Sequence, residues 1–193
     1  DYLRRFGKND SSISGIQRKP IIREKVVPIR QRVPSYEREW EEITPKCKHG
    51  KFEVLAIGIS TGGPNALRKV FAMIPEDFPL PIVVVQHMPP GFTKEFAKGL
   101  DRISSISVKE AEDGDVLKPG RALIAPGDKH VSVEKKSLSG IVKLLDSEVV
   151  SGHKPSADVL FESIAKHYGN KALAVIMTGM GKDGAKKIGE IYR

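Results

Sequence analysis

Three short apolar runs, each the length of a strand and each ending in polar residues, constrain what this chain can fold into. They occupy residues 54–59, 81–85 and 173–177. None alternates polar with apolar, so each reads as a strand buried on both faces, the pattern of a parallel sheet covered by helices. After the first run, Pro64 opens a helix whose Leu67, Val70, Phe71 and Ile74 share one face, and Pro75 and Pro79 end it. After the second, Pro89-Pro-Gly-Phe92 leads into a helix carrying Phe96 and Leu100. Ser156 stands where it would cap a third helix, containing Val159, Leu160, Ile164 and Ala165, ahead of the third run. This alternation predicts an α/β fold: a doubly wound, mainly parallel sheet with helices on both faces and right-handed crossovers. Between the second and third helices, short alternating runs at 105–110, 121–125, 131–133 and 141–145 are separated by Asp-Gly, Pro-Gly-Asp and Ser-Gly turns. They read as a β-hairpin insertion.

The chain has 193 residues and 39% apolar content, enough to bury one core. Its net charge of +8 would suggest an anionic partner, but the first 51 residues hold 13 Lys/Arg against 7 Asp/Glu. The other 142 residues carry 19 and 17, so the body of the protein is almost neutral and no basic face for nucleic acid is implied. Residues 1–50 lack helical or strand periodicity for most of their length and read as a flexible interdomain linker or tail, with the ordered domain over 51–193. The stretch around Trp40 reads equally as a short docking helix or a transient turn. A single cysteine, Cys47, excludes a disulfide within the chain and agrees with a cytoplasmic location. Cys47 and His49 lack the companions a metal site needs. No apolar stretch is long enough to insert in a membrane.

In open parallel sheets, ligands bind beyond the carboxyl ends of the strands. The three exits here read Gly58-Ile-Ser60-Thr61-Gly62-Gly63, Gln86-His87-Met88 and Thr178-Gly-Met180-Gly-Lys182-Asp183-Gly184. The first has the form of a nucleophile elbow, a serine in a strained turn at a helix N-terminus where developing negative charge is favoured. Taken alone, the same turn fits helix capping by Ser60 and Thr61, or phosphate binding, equally well. His87 leaves the neighbouring strand and can take a proton from Ser60, and Asp183 can fix the imidazole tautomer. Asp183 alone would be read as an Asp-Gly turn former. The convergence of the three favours nucleophilic catalysis. His130, His153, Asp113, Asp115 and Asp128 lie in turn-rich segments and are weaker candidates, and His49 and His167 read as surface groups. Residues 176–183 do not form a phosphate loop, and residues 58–63 do not form a dinucleotide fingerprint.

Five ordered motifs carry a resemblance over about residues 52–185: Ile57-Gly-Ile-Ser-Thr-Gly-Gly63, Gln86-His-Met-Pro-Pro-Gly-Phe92, Ala125-Pro-Gly-Asp-Lys-His130, Lys154-Pro-Ser-Ala-Asp-Val-Leu160 and Thr178-Gly-Met-Gly-Lys-Asp-Gly184. The sequence resembles the catalytic domain of the chemotaxis protein-glutamate methylesterase family, CheB. That resemblance implies hydrolysis of glutamate γ-methyl esters on methyl-accepting chemoreceptors, with methanol released, and in some members deamidation of receptor glutamines. It implies Ser60 as nucleophile, His87 as acid and base, Asp183 as orienter, Thr61 beside the nucleophile and the Met180 backbone N–H as oxyanion donor. It implies no metal and no organic cofactor. Family members carry an N-terminal receiver domain that controls the esterase by phosphorylation. This sequence does not contain it, and residues 1–50 correspond to the linker that would follow. The family also continues with further helix and strand beyond the position of Arg193, so the sheet is expected to be truncated on that side. An alternative is a catalytically inactive receptor-binding fragment of the same family. A phosphate-binding regulatory domain is a third, and it leaves His87 and Asp183 without a role.

Overall fold

The computed structural model describes residues 52–136 and 139–192. The linker expected over 1–50, the segment around Trp40, and Cys47 and His49 lie outside them. The element order is β1 (Val54–Ile59), α1 (Gly63–Phe71), β2 (Ile82–Gln86), α2 (Phe92–Asp101), β3 (Ser107–Glu110), β4 (Arg121–Ile124), β5 (His130–Lys136), β6 (Ser139–Leu145), α3 (Ala157–Tyr168) and β7 (Ala172–Ile176), followed by a 3₁₀ turn at Ile188–Tyr192. Five strands form one sheet in the order β3-β4-β2-β1-β7, every neighbouring pair parallel.

Two cores flank this sheet, because successive side chains of a strand point to opposite faces. Leu55, Ile57 and Ile59 of β1 pack with Leu67 and Phe71 of α1 and Phe96 and Leu100 of α2. Val54 and Ala56 of the same strand pack with Leu160, Phe161 and Ile164 of α3. Strands sandwiched in this way have no polar face, which is why the first two runs show no alternation. Gly58 is the point of closest approach on the α3 side: a Cβ there would lie 2.8 Å from Ala157 Cβ and 3.2 Å from Phe161 Cζ. Helix α1 ends at Phe71, one turn short of the expected Ile74, as the residue before Pro75 is biased away from helical backbone.

The expected insertion is narrower than the alternating runs suggested. Only β5 and β6 form the antiparallel hairpin, while β3 and β4 belong to the main parallel sheet. Alternation in β3 reflects its place at the sheet edge, with Val108 buried and Ser107 exposed, rather than antiparallel pairing. The hairpin packs over α3 through Val131, Val133 and Val142.

From β1 the chain steps outward through β2 towards β4 and β3, then returns to place β7 on the other side of β1. The strand order therefore reverses at β1, and such a switch point opens a crevice at the carboxyl ends of the strands. No helix among the described residues is long and apolar enough to cross a membrane.

Candidate active site

Strand register determines which side chains meet in the crevice. Ile59 pairs with Gln86 on β2, and Gly58 pairs with Ile176 on β7. The residues just past these pairs must therefore emerge together. Backbone bonds hold the three exits in line: the Ser60 N–H donates to the Thr178 carbonyl at 2.9 Å, and the His87 N–H to the Ile59 carbonyl at 3.2 Å. The β7 exit approaches so closely that a Cβ on Gly179 would lie 2.8 Å from Ser60 Cβ.

In this frame Ser60 Oγ lies 3.0 Å from His87 Nδ1, and His87 Nε2 lies 2.7 Å from Asp183 Oδ2. The carboxylate accepts from every side. Ser156 Oγ donates to Oδ1 at 2.6 Å, the Ala157 N–H to Oδ2 at 2.6 Å, and the Asp158 N–H to Oδ1 at 3.1 Å. Burial alone would disfavour the anion, but the bonds from His87, Ser156 and the two backbone N–H groups outweigh it and hold the Asp183 carboxyl at about 2. An ionised carboxylate can only accept, so it fixes the proton of neutral His87 on Nε2 and leaves Nδ1 free to accept from Ser60.

The expectation of strain at Ser60 is not met. The left-handed backbone of this turn falls on Gly62, at φ 79°, and Ser60 is absent from the non-glycine residues with positive φ, which among the described residues are Asp128 and Ser151. Ser60 leaves β1 in line with the strand, and the reversal into α1 is made two residues later. Gly62 is also the N-cap of α1, with no side-chain cap, so helix capping by Ser60 or Thr61 is excluded as a reading of the turn. Thr61 is exposed beside Ser60, and its carbonyl accepts the Thr178 hydroxyl at 3.1 Å. Met180 is 76% exposed and lines the same cleft as Ser60, His87, Thr178 and Gly179.

Two residues ranked low from sequence join this network. His153 stacks on His87, with ring centroids 3.7 Å apart and planes inclined by 13°. Burial, and then the neighbouring His87 ring, push its pKa below the usual imidazole value. His130 is fully buried: Nε2 donates to the Glu148 carbonyl at 2.9 Å, and Nδ1 accepts the Ser156 N–H at 3.1 Å. Ser156 sits at the N-cap of α3, as expected, but its hydroxyl makes no cap bond and goes to Asp183 instead. His130 and Ser156 fall inside two of the five motifs and His153 in none, but the roles of all three arise from contacts with segments tens of residues away. Asp113 and Asp115 accept from the backbone N–H groups of Leu144 and Glu112 and serve local structure. Among the described residues no group of three or more His, Cys, Asp or Glu side chains is placed to hold a metal ion.

The sequence model of the CheB methylesterase family matches residues 55–193, more than half of the chain. The chain belongs to the CheB methylesterase family. A Treponema denticola relative called protein-glutamate methylesterase/protein-glutamine glutaminase is 66% identical over 152 residues, which cover 79% of this chain and 41% of the relative. One of the same description from Treponema pallidum is 51% identical over 150 residues, covering 78% of this chain and 37% of the relative. This CheB-family chain thus spans about two fifths of the length of the curated relatives it matches. The crystal structure of the Thermotoga maritima CheB methylesterase catalytic domain aligns with a TM-score of 0.71 at 44% identity, covering 74% of this chain and 75% of that one.

Two consequences of this CheB-family geometry can be measured. Gly179→Ala is expected to lower kcat of the reaction proposed below about 10²-fold with a cooperative thermal transition retained, because the added methyl meets Ser60 Cβ, which only a backbone shift at the strand exit can move, rather than a core residue. Steady-state kinetics beside a melting curve check it. Stability is expected to fall as pH drops from about 4 towards about 2. The Asp183 carboxyl, ordinarily at 3.8, is held at about 2 in the folded state, so its contribution is present above the ordinary value and lost on titration through the lowered one. Urea midpoints at pH 7, 4 and 2.5 check this, and Asp183→Asn should show a shallower loss across the same window.

Proposed function

We propose that this chain is a serine esterase that hydrolyses glutamate γ-methyl esters on chemoreceptors. The observation that carries the reading is the chain of contacts from Ser60 Oγ to His87 Nδ1 and from His87 Nε2 to Asp183 Oδ2, at 3.0 and 2.7 Å. The names of the Treponema relatives supply the substrate class, including glutamine deamidation as a second activity on the same acyl group.

In the proposed reaction Ser60 Oγ attacks the ester carbonyl carbon while His87 Nδ1 takes the hydroxyl proton. Asp183 holds the ring in position and stabilises the imidazolium. Negative charge gathers on the carbonyl oxygen, where the Met180 backbone N–H is the expected donor and Thr61 borders the site. The start of α1 adds its positive end, and its first turn holds no acidic residue. The tetrahedral intermediate collapses, methoxide leaves with the proton from His87 as methanol, and the acyl group remains on Ser60. Water, deprotonated by His87, then attacks the acyl carbon, releasing the glutamate carboxyl and restoring Ser60. A cytoplasmic setting and control by a receiver domain elsewhere in a longer protein belong to the same proposal.

Methanol release from methylated chemoreceptor membranes, with and without prior labelling by a serine-directed phosphonate, tests the reading. Release that stops in proportion to labelling supports it. A cooperatively folded sample that takes no label and releases no methanol would overturn it in favour of receptor binding without catalysis.

A further inference from the structure

Strand β2 ends on a polar side chain buried as deeply as the apolar ones before it. Ile82, Val83, Val84 and Val85 are fully buried, and Gln86 is only 2% exposed. Its Nε2 donates to the Ser60 carbonyl at 3.1 Å and to the His87 carbonyl at 3.0 Å. Both amide hydrogens are thus spent on the backbone of the two residues that must keep their side chains 3.0 Å apart. The other end of the amide has no such partner: Oε1 is buried and accepts no hydrogen bond among the described residues. It is lodged against Gly63, where a Cβ would lie only 1.9 Å from it. The amide cannot be reversed, because Oε1 would then face two carbonyl oxygens.

A buried acceptor without a partner is a net cost, and a leucine or methionine would occupy this volume without it. Packing therefore does not explain a glutamine here, whereas bridging two carbonyls does. We propose that Gln86 is a positioning residue, a brace between the backbones of Ser60 and His87 that holds nucleophile and base in register, with Gly63 leaving the space its amide needs. The inference rests on the esterase reading of Ser60 and His87. Gln86 touches neither substrate nor reacting atoms in this role, so its loss should appear in the chemical step rather than in substrate binding.

Gln86→Met removes the donors and the unpaired acceptor at similar volume, and Gln86→Glu keeps the shape while leaving at most one donor for two carbonyls. For both, kcat for methanol release is expected to fall about 10- to 100-fold with KM within about twofold of wild type, and the rate of phosphonate labelling at Ser60 should fall by the same factor. If the Met variant fails to unfold cooperatively, the Glu variant carries the test. Wild-type kcat and labelling rate in a folded variant would overturn the proposal, as would a loss confined to KM or one that simply tracks a lowered thermal midpoint. Failure of the esterase reading is separate, since there the wild type itself would release no methanol.

Discussion

Methanol release by Ser60→Ala is expected to fall on the order of 10⁶-fold below wild type, the size of loss seen when a triad nucleophile is removed. The substitution deletes only Oγ. The Ser60 N–H to the Thr178 carbonyl, the Gly63 N–H to the Ser60 carbonyl and the Gln86 amide to that same carbonyl all use backbone atoms of residue 60 and survive. His87 loses one partner at Nδ1, but its side chain is 14% exposed, so water can replace the hydroxyl. The thermal midpoint should therefore stay within about 2 °C of wild type while covalent labelling disappears. A variant that keeps more than about a hundredth of wild-type turnover would mean that Ser60 does not carry the acyl group. Loss of activity together with loss of folding would contradict the account of its surroundings.

The parts of this fold legible in the sequence are those in which one residue type reports one environment. The runs at 54–59 and 81–85 are wholly apolar because helices cover both faces of their strands, and the structure places them as neighbours. Because exits from adjacent parallel strands lie at one edge, Ser60 and His87 could be expected together before any distance was known. Misreadings arose where one pattern has two physical causes. Alternation marks any strand with one wet face, so edge strand β3 looked like part of a hairpin. For β4 a stronger signal was present, since Ala122, Leu123, Ile124 and Ala125 form an unbroken apolar run as buried as β2. The turn chemistry of Pro126-Gly-Asp outweighed it. Only the motifs at 125–130 and 154–160 mark His130 and Ser156, and nothing marks His153, because a serine before a helix is ordinarily its cap and a histidine among turns is ordinarily at the surface. Ser156 acts through Asp183, which reaches back 27 residues to it, His130 through the Ser156 backbone, and His153 through the His87 ring.

That reach makes Asp183→Asn the second large expected effect, and a more informative one than loss of the nucleophile. Asp183 fixes the His87 tautomer and also accepts the Ala157 and Asp158 N–H groups, the first two of α3, a helix with no side-chain cap of its own. One carboxylate thus caps a core helix and orients the imidazole. Asparagine cannot do both. With its NH₂ at the Oδ2 position it faces the Ala157 N–H and drives the His87 proton onto Nδ1, the wrong tautomer for accepting from Ser60. Turned over, its NH₂ faces the Asp158 N–H, while Ser156 can rotate to accept. Either orientation leaves a backbone donor unpaired, at about 1 to 3 kcal/mol, and removes the charge that favours both the helix N-terminus and the imidazolium. The variant should lose about 10⁴-fold in kcat and also unfold at lower urea. Supplying an acceptor elsewhere at the start of α3, by Ser156→Asn or Ser156→Asp, could restore stability only, since Nε2 of His87 would still lack its anion. Urea midpoints and kcat for Asp183→Asn alone and combined with Ser156→Asp therefore separate the two roles. Recovery of the midpoint without recovery of kcat is the expected result, and recovery of both together would show that the carboxylate acts through helix position alone.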